Sequence, residues 1–177
     1  MITKVNDIDL RTLSLLTKGY GKEFYIREVE RLLKVSSRTA LVTLAKLEKK
    51  GILESRVKGK IKTYSIKISG LSREYFCLTE QYKKIRFFEK NHLIKEVMEK
   101  TEDYFQGMVI IFGSYAKGIQ KEDSDLDLFI VGTYDKKEIE KIGKRYNLDI
   151  NIKCYPIDIF KKEISTDILL KEIVENH

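Results

Sequence analysis

The stretch from Gly113 to Asp127 constrains this chain more than any other. An apolar run, Met108-Val109-Ile110-Ile111-Phe112, stops at Gly113, and a second, Leu128-Phe129-Ile130-Val131, begins just after Asp127. Two short apolar runs bracketing a glycine turn and a polar segment read as strand, turn, short helix, loop, strand. Gly113 permits close backbone approach. Ser114 falls where the next helix exposes its first free N–H groups, which with the helix dipole suit a phosphate. Asp125 and Asp127 alternate with Leu126, Leu128 and Ile130 along one strand, so the two carboxylates leave one face and the apolar side chains the other. Paired carboxylates beside a phosphate-binding turn suit a hard cation such as Mg2+.

At these residues the chain resembles the polymerase-beta-like nucleotidyltransferase superfamily, whose signature is a Gly-Ser turn followed at a short interval by Asp-x-Asp. Ala116, Gly118 and the Ser124-Asp125 pair are similar to its minimal, small-domain members, and the likeness runs from about Phe105 to His177. The resemblance implies attack by an acceptor hydroxyl on the α-phosphate of a nucleoside triphosphate, with Mg2+ or Mn2+ as cofactor and ATP as the expected donor. It implies that Gly113 and Ser114 hold phosphates, that Asp125 and Asp127 bind metal and carry catalysis, and that Lys117 or Lys121 adds charge stabilisation.

Length and charge frame the rest. A chain of 177 residues can bury one substantial core or two small ones, and the late position of the motif favours two. Of the net charge of +7, residues 1–70 hold 16 Lys and Arg against 7 Asp and Glu, or +9, while residues 71–177 hold 18 against 20, or −2. The surplus positive charge therefore sits in the first part, where it can draw a polyanion such as nucleic acid. No stretch is apolar enough to span a bilayer and the N-terminus lacks a signal-peptide core, so a cytoplasmic protein without membrane partners is expected. Cys77 and Cys154, with His92 and His177, form no zinc-binding pattern and read as reduced, buried thiols.

Ahead of the motif, residues 8–17 have helical apolar spacing and run into Gly19-Tyr20-Gly21. Ile26–Leu33 follows with the same spacing. A third helix opens at Ser36 as N-cap, turns Leu41, Leu44 and Leu47 inward, and stops at Gly51. Ile52–Val57 and Ile61–Ile66 flank Lys58-Gly59-Lys60 as a hairpin with a basic tip. Three helices followed by a hairpin make a winged helix-turn-helix. Phe24 to Ile66 is similar to archaeal and bacterial winged-helix regulators, which implies DNA binding by the face that carries Ser37, with Arg38 and Thr39 at base edges and Lys46, Lys49, Arg56, Lys58 and Lys60 at phosphates.

Residues 71–104 read as two helices with a break near Asn91-His92. Tyr75, Leu78, Tyr82 and Ile85 form an apolar stripe that suits a dimer seam, so a homodimer is expected. Lys136–Tyr146 reads as a helix capped by Asp135, and Leu148–Cys154 as an alternating strand. That strand places Asp149 and Asn151 on the face where the family carries its third carboxylate. Ile150-Asn151-Ile152-Lys153-Cys154-Tyr155 with Phe160 resembles a subgroup of winged-helix nucleotidyltransferases with Asn at this place, which implies that Asn151 replaces the carboxylate. The alternative is that Asp149 reaches the metals and completes the catalytic set.

The expected fold is α+β, with a winged helix-turn-helix in 1–70, a helical linker in 71–104 and a small mixed-sheet nucleotidyltransferase domain in 105–177. Two functions are compatible with it. One is nucleotidyl transfer to a macromolecular acceptor, protein or RNA, by a chain that also binds DNA. The other is transcriptional regulation, with a catalytically weak nucleotidyltransferase domain that senses nucleotide or only dimerises.

Overall fold

The computed structural model describes residues 4–17, 22–164 and 166–175. The Gly19-Tyr20-Gly21 breaker and His177 lie outside them. The chain divides into two compact units, Met1–Phe87 and Phe88–His177.

The first unit opens with α1 (Asp7–Leu16), started by a reciprocal capping box in which Asn6 and Asp9 each accept the other's backbone N–H at 3.1 Å. A two-residue strand β1 (Phe24–Tyr25) leads into α2 (Ile26–Leu33), and Lys34 in the left-handed region (φ 55°) ends that helix and starts the turn into α3 (Ser37–Lys49). Strands β2 (Leu53–Lys58) and β3 (Ile61–Ile66) pair antiparallel through a Gly59-Lys60 turn, with Lys58 opposite Ile61. β1 joins the outer side of β3, giving the order β1-β3-β2. Helix, short strand, two helices and a two-stranded wing around one core make this a winged helix-turn-helix.

Leu13, Leu16, Val29, Leu33, Ala40, Leu44, Leu47, Ile52, Leu53 and Tyr64 form that core. Leu41 does not join it. It is exposed, and Ala40 takes the inward position, because the buried stripe of α3 runs 40, 43, 44, 47 with Thr43 between its apolar members. Helix α4 (Gly70–Lys90) follows. It buries its small polar residues Ser72 and Thr79 and leaves Leu71, Leu78 and Ile85 exposed. Cys77 lies on it and is also exposed, against the expectation of a buried thiol, whereas Cys154 is half-buried.

The second unit has α5 (His92–Thr101), separated from α4 by Asn91, then a 3-10 turn (Glu102–Tyr104) into β4 (Phe105–Phe112). After α6 (Gly113–Lys117), β5 (Leu126–Tyr134) returns antiparallel to β4. α7 (Lys136–Arg145) crosses over to β6 (Ile150–Tyr155), which pairs parallel with β5, so the sheet is mixed in the order β4-β5-β6. Leu148, read as part of the strand, instead bonds its N–H to Gly143 O at 3.0 Å while its side chain is buried. Helices α8 (Ile157–Glu163) and α9 (Ile168–Glu175) close the chain.

Alternation along the strands sorts the sheet into two faces. Phe129 and Val131 pack with Leu170 and Ile173 of α9, beside Ile110, Phe112, Tyr155 and Phe160. Leu126, Leu128 and Ile130 are buried on the other side, that of α5 and α7, which touch each other and bury Ile94, Val97, Ile139 and Ile142. A sheet covered on both sides is rigid, which suits the placement of charged groups at the end of β5. Among the described residues, no helix is long and apolar enough to cross a membrane.

Candidate functional site

The antiparallel register sets Phe112 opposite Asp127, so Gly113 leaves the sheet beside the Asp127 side chain. Gly113 has φ +72°, and a Cβ placed on it would lie 2.1 Å from Asp127 Oδ2 and 2.9 Å from its Cγ. Only glycine satisfies both the backbone conformation and the space. α6 begins at this residue with no side-chain cap on its first N–H groups, and Ser114, half-buried, stands in its first turn. The segment between α6 and β5 is closed by Ser124, whose hydroxyl accepts from Lys121 N–H at 2.8 Å and whose own N–H donates to Lys121 O at 3.1 Å. That turn delivers Asp125 to the start of β5.

The parallel register places Asn151 beside Asp127, and its Nδ2 donates to Asp125 Oδ2 at 3.0 Å. Asp149 lies one step before β6, where its carbonyl accepts Leu126 N–H at 2.8 Å. Its side chain is exposed. Among the described residues, no three His, Cys, Asp or Glu side chains converge on a point that could hold a metal ion. The cluster formed is therefore two carboxylates and one amide. Asp127 is half-buried, while Asp125 and Asn151 face solvent.

Lys117 Nζ sits 2.9 Å from Glu172 of α9, and this hydrogen bond holds the Glu172 carboxyl below the usual range, with the charge of Lys153 acting in the same direction. Lys121 is exposed. Lys153 leaves β6 on the same face as Asn151, so it belongs to the neighbourhood of the carboxylates. Its position was implicit in the Asp149, Asn151, Lys153 alternation. Glu172 had no local signal, because only the packing of α9 brings it to Lys117.

In the first unit, the expected DNA-contacting residues divide by partner. Ser36 caps α3, accepting from Thr39 N–H at 3.1 Å with the two hydroxyls 2.8 Å apart, so Thr39 is bound into the cap. Ser37 donates to Glu30. Lys46 turns inward to the Asp9 carboxylate, which is 1% exposed, so this lysine serves a buried charge. Arg38, Lys49 and Lys60 are exposed.

Ion pairs hold the wing from its middle to its tip, where Lys58 precedes the Gly59-Lys60 turn. Lys58 lies 3.0 Å from Glu23, Arg56 3.6 Å from Glu54, and Lys62 2.8 Å from Glu48. Hydrogen bonds from Thr63 and Lys58 hold the Glu23 carboxyl below its ordinary value, and those from Lys62 and Ser55 do the same for Glu48.

Residues 90–176 match the family model of the nucleotidyltransferase domain. Two candidate protein adenylyltransferases of Methanocaldococcus jannaschii are similar to this chain. One is 42% identical over 74 residues, spanning 39% of this chain and 72% of that protein, and the other is 33% identical over 79 residues, spanning 41% and 79%. Among solved structures, an adhesin competence repressor from Streptococcus pyogenes aligns with TM-score 0.44 at 12% identity, covering 54% of this chain and 69% of its own. The share of the relatives that this chain covers, at that identity, settles its membership: through residues 90–176 the chain belongs to the nucleotidyltransferase-domain family.

Proposed function

We propose that this protein transfers a nucleoside monophosphate from ATP to a hydroxyl group of a protein acceptor, and that its winged helix binds duplex DNA. The transfer reading is carried by one observation: the Asp127 carboxylate fills the space above Gly113, so the phosphate-binding turn and the Asp125/Asp127 pair form one site. The protein adenylyltransferases among its relatives support a protein as acceptor.

The donor set suits a single Mg2+ ion, which typically takes one or two carboxylates and completes its shell with water and substrate phosphates. Asp125 and Asp127 would hold it, and when bound it would neutralise the triphosphate and polarise the α-phosphate. The first N–H groups of α6 and the Ser114 hydroxyl bind phosphate oxygens and orient the chain of phosphates. The acceptor oxygen bonds to the α-phosphorus, the bond to pyrophosphate breaks, and the acceptor proton passes to a base. Asn151 cannot take that proton. A carboxylate at its place would both add negative charge and serve as base, so this chain is expected to be a slow transferase.

Incubation with α-phosphate-labelled ATP, Mg2+ and a proteome of low-molecular-weight-depleted extract tests the reading. Label on protein with wild type, absent with Asp127→Asn, is the expected result. Label that persists with Asp127→Asn would contradict it.

A second reading, a DNA-binding regulator that senses nucleotide without turnover, is favoured by Asn151 itself. Under both, α4 joins two copies. Leu71, Leu78 and Ile85 are 51%, 45% and 57% exposed and recur every seven residues, the spacing by which one helix buries its stripe against another.

A further inference from the structure

The transfer reading leaves Lys153 and Glu172 without a role. Lys153 stands on β6 two residues beyond Asn151, so it points from the face that carries Asp125 and Asp127. Lys117 comes from the last turn of α6, directly after the Gly113-Ser114 turn, and its ammonium group is 2.9 Å from Glu172 Oε1. Glu172 is brought there by α9. That helix is anchored by Leu170 and Ile173 against Phe129 and Val131, and at its start by Asp167, which accepts Leu170 N–H at 3.0 Å and the Tyr155 hydroxyl at 3.4 Å. The Lys153 charge also acts on Glu172. Two ammonium groups from different elements thus favour the anionic form of one carboxylate, on the sheet face of the catalytic pair.

A carboxylate in such a place has the charge and the acceptor oxygens of a phosphate. We infer that Lys117 and Lys153 form the anchor for the terminal phosphates of the nucleoside triphosphate, and that Glu172 of α9 is the internal occupant which the nucleotide displaces. The inference rests on the nucleotide-binding reading of the site and adds to it a residue, Lys153, and a competing group within the chain. Because the site is partly filled by its own side chain, the affinity for triphosphate is reduced by the fraction of molecules in which Glu172 is seated. Nucleotide binding then releases one tether of α9.

Calorimetric titration of the full chain with Mg-ATP, for wild type, Glu172→Gln, Lys153→Gln and the double variant, tests this. Both residues are exposed, so thermal melts of the variants should match wild type. An exposed ion pair is weak, so Glu172→Gln should tighten ATP binding only about two- to fivefold. Lys153→Gln should weaken binding by a similar factor, and amide exchange in α9 should rise on addition of ATP in wild type but not in Glu172→Gln.

ATP binding by wild type that neither substitution changes would overturn the inference and leave the nucleotide site standing. Glu172→Gln binding more weakly than wild type would overturn it as well. No ATP binding by wild type or Glu172→Gln would remove the nucleotide site and the inference together.

Discussion

Asn151 donates its side-chain amide hydrogen to Asp125 across the parallel β5–β6 pair, at 3.0 Å. An amide thus stands beside Asp127 where the resemblance calls for a third carboxylate, and Asp149, the other candidate, points to solvent without joining the pair. Asn151→Asp restores a negative charge and a base at that point. Transfer of AMP to protein should rise by about tenfold or more in this variant, since a positioned base contributes roughly 10²–10⁴ in rate. An unchanged rate, measured under identical Mg-ATP, would mean that Asn151 is not the limiting group.

Gly113 and Asp127 make a second test. Gly113→Ala forces a Cβ to within 2.1 Å of the Asp127 carboxylate at a backbone conformation of φ +72°. The strain is of order 1–3 kcal/mol, and its relief must move either the turn or the carboxylate. A lowered melting temperature together with lost ATP binding is expected. Retention of both would show that the turn and Asp127 are not one site.

The lysines of α3 should separate by role. Lys46→Ala leaves the buried Asp9 carboxylate without its cationic partner and is expected to cost about 3 kcal/mol of stability, with Asp9→Asn/Lys46→Ala recovering part of it. Lys49→Ala and Arg38→Ala should leave the melt unchanged and weaken duplex DNA binding. Fluorescence anisotropy over a salt series reads this, with the salt slope falling by about one unit for Lys49→Ala if it meets a phosphate.

Dimerisation through α4 predicts that Leu78→Glu, at the middle of the exposed Leu71, Leu78, Ile85 stripe, converts a dimer to a monomer in sedimentation velocity without loss of helicity. A wild-type monomer at tens of micromolar would remove α4 as a seam.

Much of this architecture is legible in the residues because local rules agree there. The strand–turn–strand pattern around Gly113, the Ser36 cap, the wing turn at Gly59 and the alternation of β6 each follow from spacing and turn chemistry alone. The departures have a common cause, which is side chains that find tertiary partners. Leu41 gave way to Ala40 because the neighbours of α3 leave only a narrow buried stripe. Lys46, polar by pattern, was drawn to Asp9 from a helix far back in the chain. Glu172 lies 55 residues beyond Lys117, and nothing in either segment signals the other.

The measurement closest to the central claim is calorimetric titration of Mg-ATP into wild type and Asp125→Asn/Asp127→Asn. Binding by wild type that the double variant loses by about tenfold or more, with an unchanged melt, is the predicted result, since two charge-assisted contacts are removed. Equal binding by the two proteins, or none by wild type, would contradict a nucleotide site at Asp125 and Asp127.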